Sequence, residues 1–476
     1  MSRPPVGPVF WLEQALAEDP GAACPPLTGT VRADVCVVGG GFLGLWTALE
    51  ITEQAPDASV VLLDAEGCGF GASGRNGGWV TSWYDELDAL LARFGPDQAT
   101  WLADQSSAAI DRLEAFCAQE EIDCHLRRSG SLWTATAPAH LGVWDGPMRA
   151  ARTVGREGFV RQLEVDELRA RTGSPAIVGG ALVRDSAAIQ PALLARGLRR
   201  VALRRGVRIF EGTPMRALER GAPAVVTTSA GRVEAGRVVL ALGAWAARLR
   251  ELRRAVVPVG SHIVLTEPIP ERIQELGWTG GELLGDTRLL VHYAQVTRDG
   301  RIAFGRGGGA IGPFGRVLPG HYVDPATVDV VAADFRRWFP QLADVPLTHA
   351  WGGAVDRAPG HLPFAGTLGD HETVHYATGF SGNGVGPSVF LARVLGRRAL
   401  GLRDAFTDNA LTHGPPGYLP PEPARSLGGV VVRDAVRRAE RAEERGEAPG
   451  RITGALRKLV WFTTPRAVEP RLWRRR

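Results

Sequence analysis

Lysine is almost missing from this chain. Lysine and arginine together number 55, and the only lysine is Lys458. The cations are therefore arginines, and along the main body they are interleaved with acids, for a formal net charge of +4. Interleaving of this kind builds no continuous basic stripe, so a nucleic-acid partner is not expected. Cysteine is scarce as well: Cys24, Cys36, Cys68, Cys117 and Cys124 form an odd set with no C-x-x-C spacing. That excludes a disulfide framework and a zinc site, and no metal is expected. Long apolar runs are absent, because glycine or charge breaks each one before it reaches bilayer length, so no transmembrane segment is expected. The opening MSRPPVGPVFW lacks the basic-then-apolar order of an export signal. A reducing, cytoplasmic location follows as the expectation.

What is present is a globular composition, with 45% hydrophobic and 22% charged residues over 476 positions. A chain of that length divides into more than one core. Residues 1–30 read as an N-terminal arm rich in proline and glycine, anchored by Phe10 and Trp11. ADVCVVGG (33–40) reads as a buried parallel strand, residues 42–54 as a helix and SVVLLD (59–64) as a second strand, which together make a βαβ unit. A helical region is expected over 85–121. Residues 237–245 and 373–401 repeat the strand-to-glycine turn, and the second of these leads into a helix. Segments 255–268, 289–297 and 300–306 alternate like antiparallel strands, with a hairpin turn at RDG. A helix is expected at 333–342.

The fold expected is α/β with an α+β insertion. A discontinuous Rossmann-like nucleotide-binding domain occupies 31–90, 160–250 and 345–412, and an antiparallel-sheet substrate domain occupies 91–159 and 251–344. Residues 413–476 form a linker and a basic helical tail.

GGGFLG (39–44) fits G-x-G-x-x-G at a strand-to-helix junction, with Asp64 ending the next strand. Gly39 permits the tight turn, Gly41 lets a pyrophosphate approach the backbone, and Gly44 lets the helix sit close to the strand. Phe42 opens the helix, whose free N–H groups face the phosphates. Asp64 is placed to accept from ribose hydroxyls. A second glycine-rich stretch, GFGASGRNGG (69–78), follows too late to belong to the same turn. One phosphate turn is enough for NAD, so a second loop indicates a longer ligand held at both ends, which suits FAD. Ala72, Ser73, Asn76, Gly77 and Gly78 are placed along pyrophosphate and ring system, with Arg75 facing either phosphate or substrate.

These two loops, with VVLALGAWAARL (238–249), TRDGRIAFGRGG (297–308), WGGAVDRAPGHLPFAG (351–366) and ATGFSGNGVGPS (377–388), resemble the FAD-dependent amine and amino-acid oxidases of the D-amino-acid oxidase and glycine oxidase type. The resemblance covers residues 8–410 and is nearest the γ-glutamylputrescine oxidase branch. It implies that Gly243, Ala244 and Trp245 approach the cofactor from a third strand. It also implies that Gly379, Phe380, Ser381, Gly382, Asn383 and Gly384 wrap the pyrimidine end of the flavin, where N–H groups stabilise negative charge on the reduced ring.

The chemistry implied is hydride loss from the carbon beside a neutral amine, then hydrolysis of the imine. That needs a shaped, partly dry pocket more than an acid–base triad. The inserted sheet supplies the candidate substrate contacts: Tyr293, His262, Trp351 and Arg306, with His292, Arg298 and His361 beside them. Tyr293 and Trp351 would wall an amine, and Arg306 or Arg298 would pair with a carboxylate.

The chain departs from the family at two points. It lacks the cysteine or histidine to which some relatives attach flavin, so FAD is expected to be non-covalent. It also lacks the lysine that sarcosine-oxidase-like relatives place near the flavin for reaction with oxygen. The partners expected are a small amine substrate and O2 or another electron acceptor. An oxidase forming H2O2, a dehydrogenase passing electrons to a quinone or carrier, and a non-enzymatic flavin-binding adaptor all stay open. The basic tail, with Trp461, Phe462 and the final LWRRR, is a candidate contact for an acidic partner or a membrane surface.

Overall fold

The structure, a computed structural model, describes residues 7–462, with side chains through Leu459. The β-branched run at 35–38 is the buried end of strand Gly29–Val38. A strand covered on both faces has no polar alternation, which is why the run is continuous. After the turn, every residue of helix Phe42–Gln54 from Phe42 through Thr52 is buried, because helices Val385–Ala399 and Pro191–Arg204 close over it. The buried Glu50 is paired with Arg112 at 2.7 Å and Arg397 at 3.5 Å.

Strand Val60–Leu63 returns parallel, with Val35 opposite Val60 and Val38 opposite Leu63. The sheet order is Phe364–Leu368, Val374–Thr378, Gly231–Leu240, Gly29–Val38, Val60–Leu63, Arg208–Phe210. Only the outer pair, Phe364–Leu368 with Val374–Thr378, is antiparallel along this path. The parallel strands therefore end on one side, and the turns after residues 38, 63, 240 and 378 gather there.

A second sheet of eight strands runs Leu347–Arg357, Val257–Thr266, Ile302–Arg306, His292–Val296, Leu283–Asp286, Ser131–Ala135, Gly179–Val183, Val160–Leu163. The RDG turn joins two of its strands, with Gly300 at φ +75°. Helix Pro325–Trp338 packs on its back, where Phe304 meets Phe335 and Trp338 edge-on.

The domain boundaries differ from those expected. Leu347–Arg357 pairs antiparallel with Val257–Thr266 over its whole length, and Gly179–Val183 and Val160–Leu163 extend the same sheet. These segments, expected within 345–412 and 160–250 of the nucleotide-binding domain, lie in the second sheet. Conversely, Pro96–Gln119, expected in the substrate domain, lays its buried stripe on the nucleotide-binding helices: Phe116 meets Trp46 at 4.8 Å, and Trp101 meets Phe390 at 5.8 Å. An amphipathic pattern tells a helix which face to bury, but not against which partner.

The arm contains helix Phe10–Glu18. Trp11 is buried, meets Trp351 edge-on at 5.8 Å, and donates from Nε1 to the Asn76 carbonyl at 3.1 Å. At the other end, helix Ala424–Glu444 is not a solvated tail: it buries Ala435, Val436, Ala439, Glu440 and Glu443. The LWRRR end lies outside the described residues, as do the side chains of Trp461 and Phe462. No helix among the described residues is long and apolar enough to cross a membrane.

Glu440 bridges this helix to the second sheet. It accepts from Arg306 Nη2 at 3.3 Å and from the Leu290 amide at 3.1 Å. Glu440→Ala leaves the Arg306 charge underpaired in a buried site and is expected to cost about 3 kcal/mol. Thermal and urea unfolding would show the loss; an unchanged transition would mean that the helix is merely laid on the surface.

Candidate functional site

Four backbone turns meet at the C-terminal ends of the first sheet, the edge where open α/β sheets bind ligands. In the first turn, Gly39 has φ +111°, and a Cβ on it would lie 2.3 Å from the Ala241 carbonyl. A Cβ on Gly44 would lie 1.8 Å from the Gly39 carbonyl, so the helix sits directly against the turn. Asp64 accepts from the Gly40 amide through Oδ2 at 2.6 Å and from the Glu66 amide through Oδ1 at 2.9 Å. It thus braces the loop, while each oxygen keeps a second lone pair for a ribose hydroxyl. Burial pushes its pKa up to about 6.

The second glycine loop reaches the same point. Ser73 Oγ accepts from the Phe42 amide at 2.8 Å, at the mouth of the helix, and lies 2.9 Å from where a Gly41 Cβ would be. Gly41 and Ser73 therefore share one small space, and the first-turn amides of Leu43 and Gly44 have no acceptor within the helix. Ala72 lies exposed beside them.

Asn76, expected to face the cofactor, turns inward. Its Nδ2 donates to the Ala72 and Ser73 carbonyls at 3.1 and 2.9 Å, and its Oδ1 accepts from the Gly78 amide at 2.8 Å. Three bonds to its own loop use the amide as a brace. Arg75, expected at phosphate or substrate, is buried against the rings of Phe70 and Tyr322, at 4.5 and 4.7 Å, and donates to the Phe70 carbonyl at 2.7 Å. Cation–π contact with the two rings, whose centroids lie 6.5 Å apart, holds it there.

The third turn has Gly243 at φ +51°, a buried Ala244 and a partly exposed Trp245, whose ring lies 3.5 Å from the would-be Cβ of Gly71. The fourth turn has Gly379, Ser381 and Gly382 at positive φ. Asp356, which the sequence reading passed over, organises it: Oδ2 accepts from the Gly379 amide at 2.7 Å and from Thr378 Oγ1 at 3.1 Å. Phe380 is buried, Gly384 caps helix Val385–Ala399, and the Asn383 side chain makes no hydrogen bond among the described residues.

The donor set fits FAD. Two helix N-termini, a serine hydroxyl between bare glycines and a free asparagine amide line one edge of the sheet, where a side chain on Gly41 would fill the space beside Ser73.

The substrate candidates divide by strand alternation. Tyr293, Gly305, Ile263 and Trp351 are paired in one cross-strand row, and His292, Arg306, His262 and Gly352 in the next. Successive residues face opposite sides. The Tyr293 row is the front, toward the glycine loops. The Tyr293 ring lies 2.7 Å from the would-be Cβ of Gly77, its hydroxyl bonds Ser261 Oγ at 2.8 Å, and burial pushes its pKa up to about 12. Gln295, two residues on, donates to the Gly77 carbonyl at 2.7 Å, and Gly78 sits against the same amide at φ +72°. Trp351 is fully buried and donates from Nε1 to the Arg75 carbonyl at 2.9 Å, so it is a strut under the loop rather than an open wall.

His262 and Arg306 are on the back and cannot touch a ligand at the glycine loops. His262 is fully buried, both ring nitrogens lack partners among the described residues, and burial pushes its pKa down to about 4. Arg306 donates to Asp334 at 2.9 Å as well as to Glu440. His292 lies between Asp286 at 2.6 Å and Asp334 at 2.9 Å. Burial opposes the Asp334 charge, but His292, Arg306 and Arg337 outweigh it and hold the carboxyl at about 2. Arg298 is at the surface, paired with Asp123. His361, at φ +61°, accepts from Arg357 at 2.8 Å. Ser261 and Gln295 were legible as alternating neighbours of Ile263 and Tyr293; Asp356 had no local signal.

Comparison with known proteins agrees with this geometry. A model of the FAD dependent oxidoreductase family, DAO, matches residues 34–398. The gamma-glutamylputrescine oxidoreductase of Escherichia coli K12 is 29% identical over 384 residues, covering 80% of this chain and 86% of its own. A probable oxidoreductase, OrdL, of Haemophilus influenzae is 27% identical, covering 79% and 85%. The crystal structure of glycine oxidase from Geobacillus kaustophilus superposes with a TM-score of 0.65 at 22% identity, covering 79% of this chain and 96% of that one.

Gly41→Asp places a carboxylate beside Ser73 and is expected to give folded protein that purifies without FAD, read by flavin absorbance and circular dichroism. For Asp64, a carboxyl whose pKa rises on folding favours the fold when neutral. That contribution is complete below the unfolded value of about 4 and is lost as pH rises through about 6. Asp64→Asn is therefore expected to make the cofactor-free protein at least as stable as wild type at pH 8, with the difference closing below pH 4, as measured by urea unfolding.

Proposed function

Since the chain belongs to the FAD dependent oxidoreductase family, we propose that it oxidises the C–N bond of an amine or N-substituted amino acid, of the γ-glutamylputrescine kind, and returns the electrons to oxygen as H2O2. The observation that carries this reading is the Tyr293 ring lying directly against Gly77 of the second glycine loop. The front of the substrate sheet and the cofactor loops thus enclose one space. FAD, when bound, supplies the two-electron acceptor for the hydride lost from the carbon beside the nitrogen.

The chain's own residues do the rest. Gly41, Ser73 and the first turn of helix Phe42–Gln54 receive the pyrophosphate, and Asp64 receives the ribose. Asp356 holds the Gly379 turn, at which Asn383 and the amides of helix Val385–Ala399 would hold the flavin ring. Non-covalent attachment accords with Cys68, whose thiol is buried beside Gly40, with its pKa raised above the usual thiol range by burial. Tyr293, its pKa near 12, stays protonated at neutral pH and serves as a wall and hydrogen-bond donor, not as a base. The amine therefore reacts in the fraction that is already neutral, and the rate should follow the amine's own ionisation. Arg75, held against Phe70 and Tyr322, supplies the positive charge beside the loop in a body without lysine.

Anaerobic mixing of the purified protein with a panel of amines is expected to bleach the flavin, faster as pH rises toward the amine pKa. Admitting air should restore the colour within a turnover. Rapid bleaching with slow recovery in air and fast transfer to a quinone dye would make the protein a dehydrogenase instead, and no bleaching with any amine would overturn the proposal.

A further inference from the structure

Charge and exposed apolar surface gather at the same end of the molecule. Residues 451–476 carry eight arginines and lysines and a single acid, Glu469, so this stretch is net +7 in a chain whose total is +4. The rest of the chain is net negative. Segregated charge of this kind marks a binding surface, as the interleaved cations of the main body do not. Among the described residues the four most exposed large apolar side chains are Ile452, Leu427, Phe314 and Tyr418, at 79, 67, 66 and 61%. All four lie on the C-terminal helices or beside them. The Phe314 amide donates to Glu422 at 2.9 Å, a Cβ on Gly429 would lie 3.1 Å from Ile311, and Tyr418 stands just before helix Ala424–Glu444. Scattered single apolar residues on a surface are ordinary, but a group of them in one place marks a contact.

Helix Arg451–Phe462 combines the two features. It packs along helix Ala424–Glu444, and its Arg457 pairs with Glu443 of that helix. At about 3.6 residues per turn, Ile452, Ala455 and Leu459 form one stripe on the side opposite Arg457. All three are exposed, and the exposed Arg451 and Lys458 border the stripe along one edge. In the sequence the same spacing runs on to position 462, a phenylalanine. A helix that serves a core turns its apolar stripe inward. Here the apolar stripe faces out, and a charged residue faces the protein.

A nucleic acid would answer the cations and offer nothing to the aliphatic stripe. An acidic protein would need a groove shaped to apolar side chains spread over two helices and a loop. An anionic bilayer answers both features at once: its headgroups draw the cations, and its acyl boundary receives the apolar side chains without a shaped groove. We propose that the C-terminal helices, led by the outer stripe of Arg451–Phe462, dock this protein on an anionic membrane surface, lying in the interface without crossing it. The docking does not rest on the proposed oxidation.

The test is co-sedimentation of the purified full-length protein with vesicles of phosphatidylcholine, alone or with about one quarter phosphatidylglycerol. The mixed vesicles are expected to bind at least tenfold more tightly, and raising salt from about 50 to about 500 mM should remove most of that gain. Ile452→Ser with Leu459→Ser keeps every charge and is expected to weaken binding to the mixed vesicles at least tenfold, with native circular dichroism. Arg451→Gln with Lys458→Gln should weaken it too and flatten the salt dependence. No binding to either vesicle would overturn the proposal. So would mixed-vesicle binding that the serine pair leaves unchanged, since that is attraction of a polycation alone. Without vesicle binding, a dimer in gel filtration that the serine pair splits would assign the stripe to a second copy, and retention on DNA would assign the cations to a nucleic acid. Amine-dependent bleaching of the flavin is expected to be the same in these variants as in wild type, so failure of the docking and failure of the oxidation are read separately.

Discussion

The hydrogen bond from the Phe42 amide to Ser73 Oγ joins the two glycine loops at the mouth of one helix. Much else in the site follows from it. With the second loop fixed against the first, Asn76 bonds back into its own loop, Trp11 and Trp351 donate to the loop's carbonyls from the arm and from the second sheet, and Tyr293 closes on Gly77. Two domains and an N-terminal helix are thereby tied to a segment of bare backbone. Tight packing is possible there because glycine lets neighbouring backbones approach to distances that a Cβ would forbid.

The second constraint is the two-residue period of the substrate sheet. It separates an aromatic front row from a charged back row one residue away. The back row serves the fold: His292, Arg306, Asp334 and Glu440 make a buried network that fastens helix Ala424–Glu444 to the sheet. Each charge there is met by at least one opposite charge, the condition under which buried ions are tolerated. The front row serves the site, and two of its polar groups, Gln295 and Trp351, are bonded to the second glycine loop.

Much of the nucleotide-binding half was legible in the chain itself. The apolar strand at 35–38, the glycines at 39, 41 and 44, and the strand-to-helix turn at 379–385 carry their geometry in residue type, since only glycine relieves positive φ and close contact. The substrate half was less legible. His262, Arg306 and Trp351 have the right chemistry for an amine site, but their roles depended on which face of the strand each occupies, and alternation alone does not say which face meets the cofactor. Arg75 and Asn76 were expected to meet cofactor or substrate, but Asn76 bonds back to Ala72 and Ser73, and one of the two rings against Arg75, Tyr322, comes from far away in sequence.

The sequence by itself determined the turns, the periodicities and the order of the cofactor-binding elements, because those depend on neighbours a few residues apart. Only the tertiary structure decided that Leu347–Arg357 joins the second sheet and that Pro96–Gln119 covers the first domain. Those outcomes depend on register and packing between segments far apart in the chain, where the free energy of a contact is set by the partner that arrives and not by the local pattern.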